Sequence, residues 1–267
     1  MSTATELEAL FPDSEYTFHV GVQRGEARAF FAPQDPTGRL LAERARWIGG
    51  ADARRYIALD DEGRGAFDEF RDKLREWGLR APDDMRELAT ALEPDVLLLA
   101  PDAESVLRLR GGALVFPTSW ALEEKMGKPL QAIHAPVPGL NPGIGAQLDR
   151  MLPRLAPGAA WCRSNWGIAA TDELNMHPSR ALPAPALPLR PERLWLRVEH
   201  QALVALPQNR GLVFGIRLAL HRLDEVVAGS AAVRRGLARA LQTMTPELLR
   251  YKRIDAIAPE LVAHLAE

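Results

Sequence analysis

The spacing of hydrophobic positions changes period along this chain. In EYTFHVGVQRGEARAFF (15–31) aromatic and β-branched residues flank a glycine-containing break, which predicts two short strands around a turn at Gln23 to Gly25. From residue 37 the spacing becomes helical. TGRLLAERARWIGG and EGRGAFDEFRDKLREWG carry apolar residues at helical intervals, as at Phe67, Phe70, Leu74 and Trp77, and both end at glycine. PDDMRELATALEPD predicts a shorter helix with acidic residues in its first turn, where the helix dipole favours them.

At Asp95 compact apolar runs replace that spacing. DVLLLA, SVLRLR and GALVFP predict strands separated by turns at Pro101-Asp102 and Gly111-Gly112. SWALEEKMG predicts a helix, and a proline-bracketed stretch carrying His134 follows it. Asn141 and Pro142 have the cap and first-turn identities of a helix that GIGAQLDRMLPRL supplies. AAWCRSNWGIA predicts a strand, whereas PSRALPAPALPLRPE (178–192) is too rich in proline for a helix or a central strand and predicts an extended surface crossing.

RLWLRVEHQALVALP and GLVFGIRLALHRL predict two long strands joined by a turn at Gln208 to Gly211. Alternation puts Leu194, Leu196, Val198 and His200 on one face of the first, and Trp195, Arg197, Glu199 and Gln201 on the other. A last helix, SAAVRRGLARALQTM, has Ser230 as its cap. Strand runs mixed with separate helices, with no internal repeat and no linker, predict an α+β fold with a mostly antiparallel sheet, as one domain over residues 1–267.

Composition narrows the partners. A chain of 267 residues buries about three quarters of the surface its unfolded form exposes, so it needs no covalent staple. Cys162 is the single cysteine, which excludes an intrachain disulfide and predicts a reducing, cytoplasmic setting. MSTATELEALFPDSE lacks the basic start and apolar run of a signal peptide, and no apolar segment reaches the roughly eighteen residues of a membrane helix. With 33 basic and 35 acidic residues the net charge of -2 gives no field that favours nucleic acid or an anionic membrane. Small molecules and protein partners remain.

Candidate chemistry centres on His134 in LQAIHAPVPGLNPG. A neutral imidazole on a backbone stiffened by proline suits a ligand to haem iron or another metal, while the plain alternative is a buried structural histidine. His177, in ELNMHPS, and His200 are the next candidates; His19, His221 and His264 are expected at the surface or at strand ends. No HExxH, CxxC or His-x-His pair occurs, so a zinc site has little support. Arg197, Glu199 and Gln201 share a strand face with Trp195, and Arg163 and Asn165 alternate in the same way in WCRSNWG. Such faces are either solvated or, if enclosed, suited to binding carboxylates or an amine. There is no G-x-S-x-G elbow, P-loop or dinucleotide fingerprint, and Cys162 reads as a packed thiol.

Three blocks carry a resemblance. GALVFPTSWALEEKMGKPLQAIHAPVPGLN, AAWCRSNWGIAATDELNMHP and RLWLRVEHQALVALPQNRGLVFGIR together resemble the haem-dependent oxidative N-demethylase alpha-subunit-like family, with the likeness strongest over residues 95–222. It implies a PAS-like α+β fold holding haem b, which with O2 demethylates a small dimethylamine-like alkylamine and releases formaldehyde. It further implies electrons from NADPH through flavin and iron-sulfur centres on reductase partner subunits. By position it implies His134 as the axial iron ligand, with His177 and His200 as alternatives, and Arg163, Asn165 and Trp120 against the cofactor. Glu199 then faces a protonated amine, and Arg197 or Arg163 pairs with the haem propionates. The competing expectation is a non-catalytic PAS-like haem or small-molecule sensor.

Overall fold

The computed structural model describes residues 4–267. Its centre is a seven-stranded antiparallel sheet in the order β1-β5-β6-β7-β3-β4-β2. The strands are β1 (Gln23–Gly25), β2 (Ile57–Leu59), β3 (Asp95–Pro101), β4 (Leu107–Ala113), β5 (Ala160–Ala169), β6 (Trp195–Leu206) and β7 (Gly211–Arg222). This is the α+β architecture that the pattern predicts. The hairpin of β6 and β7 forms its spine, because each strand runs for twelve residues and its alternate positions bury apolar side chains.

Helices cover the sheet where their apolar faces require it. Arg64–Glu76 lays Phe67, Phe70 and Leu74 into the main core, beside the buried Val96 and Leu98 of β3. Asp84 caps Met85–Ala91 by accepting from the Glu87 N–H at 2.7 Å. Ser230 caps Ala231–Thr243, whose Val233, Leu237 and Leu241 build a second core with Leu196, Val198 and Trp166. Among the described residues no helix is long and apolar enough to cross a membrane.

Four local expectations are corrected. Gln23–Gly25 is itself a strand, pairing with Ala160 to Cys162, and the residues after it form the helix Ala27–Phe31. Burial of Ala27, Phe30 and Phe31 explains this, since their spacing is helical although the two phenylalanines favour strands. Gly111 and Gly112 are not a turn but lie within β4, so GALVFP is no separate strand. A Cβ at Gly112 would stand 2.9 Å from the Val96 carbonyl oxygen, and one at Gly111 would stand 3.2 Å from that of Ala58; these glycines admit close neighbours. SWALEEKMG forms turns instead of a helix, beginning at Ser119 with φ +61. Its end serves the edge of β4, where Gly127 N donates to Leu109 O at 2.8 Å and Leu109 N to Lys128 O at 3.1 Å. The fourth correction is β2, a strand within residues 37–94 that the helical spacing hid.

The edge of the sheet beside β5 positions the site. β1 covers only Ala160 to Cys162, so among the described residues the remainder of β5 lacks an outer partner strand. The irregular segment before β1 lies across this gap, held by Tyr16 N donating to Thr243 Oγ1 at 2.8 Å.

Candidate functional site

Register brings the polar residues of β5 and β6 together. Arg163 stands opposite Gln201, and Asn165 opposite Glu199, so all four share one face of the sheet. Ser164 and His200 are likewise opposite each other on the other face, with Ser164 Oγ 3.1 Å from His200 Nδ1. Around the open part of β5 lies a cavity of about 1120 Å³. It is lined by Arg163, Asn165, His200 and Gln201 together with Tyr16, Phe18 and Trp166. Arg163 and Asn165 therefore reach it; His134, Trp120, Glu199 and Arg197 do not line it directly.

Arg163 is the distinctive group. It makes no hydrogen bond or ion pair among the described residues, and its Nε is buried without a partner. Burial pushes its guanidinium below the usual range, opposed by the fields of Tyr16 and Glu199. A cation held in this state calls for an anion from outside the chain.

His134 ends the short helix Leu130–His134 and is half-buried. Its neighbour Ile133 packs with Trp120 against Leu109 and Leu122, which seats the helix on the sheet. Asn141 Nδ2 donates to Gln131 O at 2.8 Å, and Val137 N to His134 O at 2.9 Å, so the proline-rich stretch folds back on the helix it follows. The ring nitrogens of His134 have no hydrogen-bond partner among the described residues. Burial lowers its pKa, and the positive fields of Arg163 and Lys125 lower it further, so the imidazole is neutral at pH 7. That is the form that ligates a metal.

The other histidines are differently placed. His177 is 3% exposed and structural, with Nδ1 2.8 Å from Ser179 Oγ, Nε2 3.3 Å from a Glu123 oxygen and its ring edge-on to Tyr56. His200 lines the cavity, but strand alternation puts it on the face opposite Arg163. Its pKa too is lowered, chiefly by burial.

Arg197 is 1% exposed and engaged by the chain itself. Its Nη1 donates to Glu173 O at 2.7 Å and its Nη2 to Leu174 O at 2.9 Å, which ties the loop after β5 to β6. Burial brings its pKa down to about 10. Glu199 accepts from Gln201 Nε2 at 3.0 Å and, among the described residues, meets no cation at ion-pair distance.

Sequence reasoning missed Lys252. It follows the helix Pro246–Tyr251, and its Nζ donates to Trp166 O at 2.7 Å while lying 5.0 Å from the centre of the Trp166 ring. Burial lowers its pKa to about 8, opposed by the field of Glu199. No local pattern marks it, because its partner lies 86 residues away. Between pH 8 and the unfolded value of about 10.4 the unfolded chain holds a proton that the folded chain has released, so stability rises with pH across this window. Melting temperatures measured from pH 7 to 10 should shift in favour of the wild type over Lys252→Met above pH 8, with a constant difference below.

Together the fold and site define an antiparallel α+β protein with a large cavity at a sheet edge, a bare arginine on its wall and a neutral histidine in that arginine's field. The sequence model of the family described as haem-dependent oxidative N-demethylase, alpha subunit-like, matches residues 68–262, and the chain belongs to this family. The family's name specifies haem, and an alpha subunit implies further subunits. Haem suits the residues present. Among the described residues no group of three or more His, Cys, Asp or Glu is arranged to hold a metal ion. Haem iron requires only an axial side chain, because the macrocycle supplies its other ligands, and its carboxylates suit the partnerless Arg163.

Proposed function

We propose that the chain is the haem-binding oxygenase subunit of an oxidative N-demethylase acting on a small alkylamine of the dimethylamine kind, on a PAS-like core. The observation that supports this reading is the buried, partnerless Arg163 on the wall of the cavity, with the neutral His134, which does not itself line the cavity, in its field. His134 would hold the iron, Arg163 would pair with a propionate, and Asn165 and Trp120 would contribute to holding the cofactor. When bound, haem supplies the O2 chemistry that no side chain provides. Glu199 orients the amine, with Gln201 holding its carboxylate in place. Arg197 is a positioning residue, keeping the loop at Glu173 and Leu174 against β6.

The reaction balances with an external donor. One oxygen atom of O2 ends in formaldehyde and the other in water, the N–methyl carbon is oxidised, and two electrons and two protons are taken up. Reductase partner subunits carrying flavin and iron-sulfur centres deliver those electrons from NADPH. Hemin-loaded protein given a competent reductase, O2 and dimethylamine is expected to release formaldehyde and methylamine in equal amounts. Haem binding without formaldehyde from any methylamine would overturn the enzyme reading and leave a haem-binding sensor module.

A further inference from the structure

A second groove lies at the start of β5 and shares no lining residue with the large cavity. Its volume is about 340 Å³, within the range of small-ligand sites. Val22, Met151, Leu155 and Trp161 give it an apolar floor. Leu155 is buried, and Trp161 packs with Met151 against the core of Leu99, Leu152 and Leu212. Register sets Leu203 opposite Trp161 on one side and Arg24 on the other, so these three side chains share one face of the sheet.

The polar groups at this groove offer N–H donors and no carboxylate. Arg150 and Arg154 line it, four residues apart where the helix Ala146–Met151 tightens into the turn Leu152–Arg154. Gln147 lines it one helical turn earlier. Among the described residues Arg24, Arg150 and Arg154 meet no carboxylate at ion-pair distance, and the indole N–H of Trp161 is buried without a partner. Asp149, the adjacent acid, accepts from Gln131 Nε2 at 2.8 Å and does not line the groove. The whole chain carries a net charge of -2 and draws no anion, so any such attraction is local to this patch. Guanidinium groups beside an apolar floor complement an oxyanion that carries a hydrocarbon chain. The fork of N–H donors pairs with the charge, and the floor takes the chain out of water.

We infer that this groove binds a small amphiphilic carboxylate, its charge against Arg150 and Arg154 and its hydrocarbon chain along Met151, Leu155 and Trp161. The site is independent of the haem reading, because neither His134 nor Arg163 lines it.

The test is a nitrogen-15 NMR titration of the full chain at pH 7 and low salt, with hexanoate, acetate, hexan-1-ol and hexylamine as probes. The indole N–H signal of Trp161, assigned by its loss in Trp161→Phe, is expected to shift saturably with hexanoate. Acetate lacks the chain and hexan-1-ol the charge, so each should bind at least about tenfold more weakly, and hexylamine should not bind. Arg150→Gln combined with Arg154→Gln should cut hexanoate affinity about tenfold. Both positions are exposed, and far-UV circular dichroism establishes that the variant is folded. Arg163→Gln, in the other cavity, should leave the affinity unchanged. No saturable shift, hexan-1-ol binding as tightly as hexanoate, or unchanged affinity in the folded double variant would overturn the inference. So would loss of binding in Arg163→Gln alone, which would move the ligand to the large cavity, or binding to phosphatidylglycerol vesicles without binding of free hexanoate.

Discussion

Asp95→Ala is expected to destabilise the protein by roughly 3–5 kcal/mol, because it strips the counter-charge from a fully buried arginine. Asp95 Oδ1 accepts from Arg44 Nη1 at 2.7 Å and from Val115 N at 2.7 Å, and Oδ2 accepts from Phe116 N at 3.0 Å. Arg44 is 0% exposed, and its Nε is already committed to Ala89 O at 2.6 Å. Removing the carboxylate leaves a buried cation and two orphaned backbone donors in a region closed to water. The adjacent Glu93 offers no rescue, since its carboxylate is held by Arg217 and by the N–H groups of Gln34 and Asp35. Thermal melting should show a loss of about 6–20 °C, at roughly 2–4 °C per kcal/mol for a chain of this size. A variant melting within about 2 °C of the wild type would contradict this account of the core, on the same scale.

In hemin-loaded protein, His134→Ala is expected to remove or markedly alter the Soret band and its shift on reduction, because the iron loses its side-chain ligand. His200→Ala should leave the band's position unchanged, since alternation along β6 puts that ring on the face away from Arg163. Arg163→Gln should weaken hemin binding about tenfold without changing the band's form, having removed a propionate partner and not a ligand. The pattern separates coordination from anchoring. A band unchanged in His134→Ala and lost in His200→Ala would move the ligand to the other face of the sheet.

Much of the fold was legible because it follows from periodicity. The twelve-residue strands β6 and β7 alternate strongly, and helix Arg64–Glu76 spaces Phe67, Phe70 and Leu74 on one face. The failures came where long-range pairing overrode local pattern. Gly111 and Gly112 resemble a turn until the carbonyls of Ala58 and Val96 are placed beside them, and residues 119–127 give up helical spacing to satisfy the edge of β4. At the site, the alternation of Arg163 with Asn165 and of Arg197 with Glu199 was readable, whereas their mutual register was not. Neither was the engagement of Arg197 with Glu173 and Leu174, nor Lys252, since both depend on chain segments distant in sequence.

Hemin titration of the purified chain, followed by visible absorption, tests the central claim most directly. Saturation is expected at one hemin per chain, with a sharp Soret band that shifts on reduction. Only the broad absorption of free hemin, with no saturable component, would contradict it.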